Sequence, residues 1–148
     1  MSIKTTTHLN FTGDARAALE FYASVFGGQP VIRTYGDFGM PEDAPGAGNV
    51  VFGEVASDSG FRVMAYDIPG RGGGARDNAT RRENGVTLTD QPFFVSVSGE
   101  TLDEVQGHWD ALSAGATIVE PLAASAWSAG FGMLTDRFGV TWILGVDG

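Results

Sequence analysis

The 148-residue chain contains no cysteine. That absence excludes disulfides, thiolate nucleophiles and sulfur-ligated zinc or iron–sulfur centres, while leaving the compartment open. Histidine is scarce too: only His8 and His108 are available to any site. Basic residues number nine against eighteen acidic ones, for a formal net charge of -9 and a pI near 4.4. Such a surface repels a phosphate backbone, so neither nucleic acid nor an anionic membrane is an expected partner, and a small molecule or protein is. Long apolar runs are also missing. No stretch approaches the roughly 20 apolar residues of a membrane span, and the opening MSIKTTTHLNF has no apolar core of signal-peptide length. A soluble, cytoplasmic protein is expected.

What is present suffices for a core. With 43% hydrophobic residues, the chain reads as one compact domain, residues 1–148. Leu9 and Phe11 alternate with His8, Asn10 and Thr12, which marks a half-buried strand over Thr5–Thr12. Gly13 and Asp14 break that period, with Asp14 a natural N-cap. Ala18, Leu19, Phe21, Tyr22, Val25 and Phe26 then recur at helical spacing until Gly27 and Gly28. Three strands follow, Pro30–Tyr35, Asn49–Ala56 and Gly60–Asp67, the last two joined through SDSG as a hairpin. The order is β-α-β-β-β over module one, residues 1–67.

Residues 68–91 interrupt this pattern with GRGGG and four arginines, Arg71, Arg76, Arg81 and Arg82, and read as a mobile linker. GRGGGAR lacks the flanking strand, helix and lysine of a phosphate-cradling loop. Asp77, Glu83 and Asp90 nearly cancel the linker arginines, so a solvated loop is preferred to an anion-binding flap. The acidic stretch GDFGMPEDAPGAG, Gly36 to Gly48, lacks the alternating oxygen ligands of a calcium loop and reads as a mobile rim. The opening order then returns in module two, residues 92–148. It comprises a strand at Pro92–Ser98 and a helix opened by the capping box TLDE at Thr101, with Leu102, Val105, Trp109 and Leu112 on one face. Strands follow at Ala116–Glu120, Gly130–Asp136 and Val140–Val146. HLNFTG (His8–Gly13) overlays FVSVSG (Phe94–Gly99), and GFRVMAYD overlays GVTWILGV. Two copies of one supersecondary unit are expected to pack together and to leave a concave ligand site between them.

HLNFTGDARAALEFYASVFGG, LSAGATIVEPL and AW followed by GFGMLTDRFGVTW carry a family resemblance across nearly the whole chain. The sequence resembles the vicinal oxygen chelate superfamily of glyoxalase I, bleomycin-resistance proteins and extradiol dioxygenases, and within it the PhnB-like (3-demethylubiquinone methyltransferase-like) branch. The resemblance implies an α+β fold of two tandem βαβββ modules whose curved mixed sheets surround a shared cavity. It also implies a homodimer, since paired-module proteins commonly assemble so and a sheet edge is better covered than exposed. The methyltransferase name gains no support, because no nucleotide-binding strand–loop–helix is present.

Metal-dependent members of this superfamily place a ligand on the first and last strand of each module. By that resemblance the positions here are Ile143, four residues after Gly139; Met64, four after Gly60; Phe94; and His8, or Thr7 if the register slips by one. A divalent catalytic metal takes three or more nitrogen or oxygen ligands. One histidine cannot supply them, so no cofactor or metal is expected. His8 is a lone ligand, a general base, a polar anchor for a bound molecule or an idle hydrogen-bonded wall residue, the last being preferred. His108 is a partly exposed helix residue, Asp136 a turn residue accepting backbone hydrogen bonds, and Trp142 core. Glu54 and Asp67 are read as solvated surface acids. Over the cavity mouth, Trp127 and Phe131 either stack on a planar ligand or close the core edge.

The expected function is therefore binding of an unknown apolar or aromatic small molecule without a metal, in a cavity walled by His8, Met64, Phe94, Trp127, Phe131 and Ile143. The alternatives are a glyoxalase- or dioxygenase-like metalloenzyme, against which the missing ligands argue, and a structural module with a filled cavity.

Overall fold

A computed structural model of the chain describes residues 2–70 and 80–147. The fold is α+β and divides into two compact units, Met1–Gly74 and Ala75–Gly148. Arg71, Arg76, Asp77 and most of GRGGGAR lie outside the described residues.

In the first unit, β1 (Thr7–Phe11) leads through Thr12–Asp14 to α1 (Ala15–Phe26), followed by β2 (Val31–Thr34), β3 (Val50–Ala56) and β4 (Arg62–Asp67). The sheet order is β1-β4-β3-β2, with β1 parallel to β4 and the other pairs antiparallel. A parallel neighbour requires a long crossover, and the helix together with the β2–β3 hairpin provides it. Ala15, Ala18, Leu19, Tyr22, Val25 and Phe26 form the buried stripe of α1. Against it lie Leu9 and Phe11 of β1, Val55 of β3, and Val63 and Ala65 of β4, all buried. A Cβ on Gly53 would come within 2.4 Å of Leu19 Cδ1, so glycine in β3 is what lets the helix sit down on the sheet.

Asp14 occupies the N-cap position, but its side chain makes no capping bond. The carboxylate that does this work comes from β4. Asp67 is 1% exposed; its Oδ1 accepts from the backbone N–H of Gly13 (2.8 Å) and Ala15 (3.0 Å), and its Oδ2 from that of Val50 (2.9 Å). Asp67 is thus not the surface acid that its strand-end position suggested. The Tyr35 hydroxyl donates to the Asp67 carbonyl at 2.7 Å. Burial raises the Tyr35 phenol above its ordinary pKa, and the charges of Tyr66 and Asp67 add to this. The acidic rim contains one short regular turn. Gly36–Phe38 forms a 3-10 turn closed by a reciprocal pair, in which Thr34 N–H donates to Asp37 Oδ2 (2.8 Å) and Asp37 N–H to Thr34 Oγ1 (3.1 Å). The bond from the Thr34 backbone lowers the Asp37 carboxyl pKa.

The second unit begins with a hairpin, β5 (Thr80–Glu83) and β6 (Val86–Thr89), inside the segment read as a linker. Asn84 and Gly85 turn it with positive φ of 53° and 78°, the signature of a two-residue Asn-Gly loop. After it come β7 (Val95–Gly99), α2 (Leu102–Leu112), β8 (Thr117–Ala123), β9 (Phe131–Thr135) and β10 (Thr141–Val146), ordered β7-β10-β9-β8 with β7 parallel to β10. Thr101 caps α2 by accepting from Glu104 N–H at 3.2 Å. Val105, Trp109 and Leu112 are buried, while Leu102 lies outside the core at 38% exposure. Gly132 repeats the role of Gly53: a Cβ there would meet Trp109 at 2.7 Å. Asp136 is buried, its Oδ1 accepting from Phe138 and Val140 N–H and its Oδ2 from the fully buried Trp142 indole N–H at 2.9 Å.

Asp67→Ala leaves three backbone donors without their acceptor, at a cost of about 3 kcal/mol or more, since each buried unsatisfied group costs on the order of 1–3 kcal/mol. Asp14→Ala removes no capping bond and should cost less than about 0.5 kcal/mol. Urea unfolding of the two variants measures the contrast; equal losses would refute the assignment of the helix start to Asp67.

Candidate functional site

Each four-stranded sheet buries one face under its helix and turns the other away. On the away face of the first unit stand His8 and Asn10 of β1, Met64 and Tyr66 of β4, and Glu54 of β3, alternating with the buried positions. Register places His8 beside Met64, Met64 beside Glu54, and Glu54 beside Val31, so the four form one row across the sheet. Thr7 pairs with Val63 and shares the parity of Leu9 and Phe11, so His8 rather than Thr7 lies on the face of Met64. His8 Nδ1 is 3.1 Å from Asn10 Oδ1, and its ring meets the Tyr66 ring edge-on with centroids 5.3 Å apart. Glu54 is held by Arg62, whose Nη2 lies 2.8 Å from its carboxylate. At the β2 side of this face a depression of about 400 Å³ is lined by Gly28, Gln29, Val31, Glu54, Ala56 and Asp58.

The matching row in the second unit is Ser96, Ile143, Met133 and Glu120. The internal overlay predicts Phe94 as the partner of Ile143, but the register assigns Ser96, and Phe94 falls just before β7. The overlay is out by two residues: Phe11 pairs with the last residue of β4, whereas Gly99 pairs with the last of β10. A slip of two preserves the face of every side chain, so the apolar alternation on which the overlay rests cannot detect it.

This second face is covered by its own hairpin. The Arg82 guanidinium lies 5.5 Å from the Phe131 ring centroid, with its Nε 3.7 Å from Glu120 and, although buried, without a hydrogen-bond partner. Gln91 Nε2 donates to Thr80 (2.8 Å) and to Thr141 (2.7 Å), and Thr141 in turn is 2.7 Å from the Thr135 hydroxyl. Met133 and Thr141 are almost wholly buried on the face that points away from α2. Trp127 stands apart at 91% exposure. Sequence reasoning missed Asn10, Tyr66, Ser96 and the covering role of Arg82 and Gln91. The period-two alternation of β1, β4 and β7 was a signal for Asn10, Tyr66 and Ser96, and Asn84-Gly85 for the hairpin that carries Arg82; no local signal marks the role of Gln91.

The βαβββ order of each unit, with its first and last strands parallel, agrees with a known family. The model of the Glyoxalase/Bleomycin resistance protein/Dioxygenase superfamily matches residues 6–144. The chain belongs to this superfamily. Among solved structures, protein PA1353 from Pseudomonas aeruginosa is 26% identical, with a TM-score of 0.76 over 99% of this chain and 98% of that one. The PhnB protein from Bacillus cereus is 27% identical, with a TM-score of 0.69 over 98% of this chain and 100% of that one. A glyoxylase/bleomycin resistance protein/dioxygenase domain from Frankia sp. EAN1pec shares the fold at 14% identity and a TM-score of 0.65, over 100% of this chain and 93% of that one. A search of curated proteins finds no match.

Within the superfamily the metal-dependent pattern does not fit this donor set. The first and last strands supply an imidazole and a thioether in one unit, and a hydroxyl and a hydrocarbon in the other. A hard or borderline divalent ion needs more nitrogen and oxygen than that. Among the described residues no three histidine or carboxylate side chains group to hold a metal ion. Met64 stands between His8 and Glu54, so Met64→Glu would place a carboxylate between two further donors. That variant should bind Zn²⁺ or Ni²⁺ at least about tenfold more tightly than the parent protein in calorimetric titration; equal affinities would show that residue 64 is not what the row lacks.

Proposed function

We propose that this superfamily member binds a small apolar or aromatic molecule without a metal, on the away face of the first sheet. The observation that carries this reading is the row His8–Met64–Glu54: a thioether at the centre, one imidazole beside it, and a carboxylate already engaged by Arg62. Methionine is a soft, adaptable wall for an apolar surface, and the Tyr66 ring extends that wall. Glyoxalase- or dioxygenase-like chemistry depends on a metal that polarises neighbouring oxygens, and the donor set argues against that alternative. The filled-module alternative draws support only in the second unit, where Arg82 of the hairpin lies over Phe131, Gln91 binds Thr141, and Met133 is buried. A cytoplasmic homodimer remains part of the proposal; among the described residues no helix is long and apolar enough to cross a membrane.

The test is a thermal-shift titration of untagged protein. Zn²⁺, Ni²⁺, Fe²⁺ and Mn²⁺ should leave the midpoint unchanged. An aromatic ligand at a hundredfold excess over its Kd should stabilise by about 2.7 kcal/mol, a rise of several °C at roughly 2–4 °C per kcal/mol. Marked stabilisation by one metal at unit stoichiometry would restore the metalloenzyme reading, and a flat response to an aromatic panel would leave the filled module.

A further inference from the structure

Arg82 lies on the away face of the second unit much as a bound molecule would. Along β5, Arg81 and Glu83 are exposed and pair with one another at 2.8 Å, while Thr80 and Arg82 alternate with them and point the other way. The Arg82 guanidinium carbon sits 5.5 Å from the centre of the Phe131 ring on β9, its Nη1 donates to Thr87 Oγ1 at 2.9 Å, and its Nε lies 3.7 Å from Glu120 on β8. Phe131 and Met133 share a parity on β9, and Met133 pairs with Glu120, so ring and carboxylate stand on one face of the sheet. A ring face attracts a cation through its quadrupole, and a carboxylate accepts the cation's N–H groups. Together they make a cation site, and the chain's own guanidinium is in it.

Arg82 fills that site imperfectly. A charge-assisted N–H···O bond closes to about 2.7–2.9 Å, whereas Nε, although buried, stands 3.7 Å from the carboxylate without a hydrogen-bond partner. Among the described residues Glu120 accepts no side-chain hydrogen bond, and its side chain remains 43% exposed. The tether explains the shortfall. β5 and β6 pair only with each other, and none of the hairpin's apolar side chains is buried. A lone two-stranded hairpin is marginally stable in water, so the contacts of Arg82 and the Gln91 bridge from Thr80 to Thr141 carry much of its attachment. A free cation has no such tether and can close on Glu120, and the net charge of -9 draws cations to the surface. We propose that Phe131 and Glu120 form a binding site for a small organic cation, a guanidinium or primary ammonium on an apolar body, and that Arg82 occupies it in cis until such a molecule displaces the hairpin. The site lies within the second unit and does not depend on the reading of the first face.

Arg82→Ala removes the internal occupant and leaves Phe131 and Glu120 in place. Ethylguanidinium should bind this variant at least about tenfold more tightly than the parent protein, because a site that is mostly occupied lowers apparent affinity by the fraction of time it is open. Chemical-shift titration at constant ionic strength, following the amides of Glu120 and Phe131, measures both affinities. Ethylurea has the same shape without the charge and should bind neither protein. Adding Glu120→Gln to Arg82→Ala should abolish the preference for the cation. In the parent protein, saturating ethylguanidinium should move the Arg82 Nε–H resonance, a readout that stands even where Arg82→Ala does not fold. Equal affinities of parent and variant, a response to ethylurea as strong as to ethylguanidinium, no binding by the variant, or an Arg82 resonance that stays in place would each overturn the proposal. Small-molecule binding on the first face is untouched by any of these results.

Discussion

The first unit depends on one buried carboxylate. Asp67, the last residue of β4, gathers the backbone donors of Gly13, Ala15 and Val50, and so fastens the end of β1, the start of α1 and the start of β3 to a single side chain. A helix leaves its first N–H groups without intrahelical partners, and here a strand distant in sequence supplies one of the acceptors. Because Phe11 is paired with Asp67 at the end of the β1–β4 ladder, the same fastening sets the register that puts His8 beside Met64 three steps back. The site is therefore fixed from the far end of its own strands, by a group that takes no part in its chemistry.

The two units share a plan but treat their away faces differently. Gly53 and Gly132 open the same gap for a bulky helix residue, Leu19 in one and Trp109 in the other, so the packing of helix on sheet is repeated. On the other face the repeat ends. The second sheet is lined by Ile143, Met133 and Phe131 and is capped by Arg82 and by the threonines that Gln91 ties together. The first keeps its polar groups, His8 and Asn10, exposed. Polar groups left in reach of solvent are free to exchange water for a ligand, whereas those of the second face are already spent on the hairpin. This asymmetry is why the proposed ligand is assigned to the first sheet.

Much of the fold was legible in the sequence because burial on one face imposes a period on each element. The alternation in HLNF and the helical spacing through Leu19 and Phe26 gave the element order and the packed faces, and Trp142 was correctly expected in the core. Three things escaped, each for a physical reason. The overlay of Phe94 on His8 missed by two residues, a displacement to which a period-two pattern is blind. Asp67 looked like a solvated strand end because its three donors come from residues 17 to 54 positions away, and local propensity sees none of them. The hairpin at residues 80–89 hid within a segment whose glycine and arginine content reads as linker, although Asn84-Gly85 is itself a hairpin turn signal.

The sequence alone determined the family, the βαβββ order of each half, and the lack of metal-binding chemistry at Met64 and Ile143, whose identities are set whatever they touch. Tertiary structure decided which residues those positions face: His8 and Glu54 on either side of Met64, Ser96 rather than Phe94 beside Ile143, and Asn10 against the ring of His8. The division follows from what each records. Periodicity along a chain encodes burial, whereas register between strands is a non-local quantity, tied in the first unit to the backbone donors that Asp67 gathers.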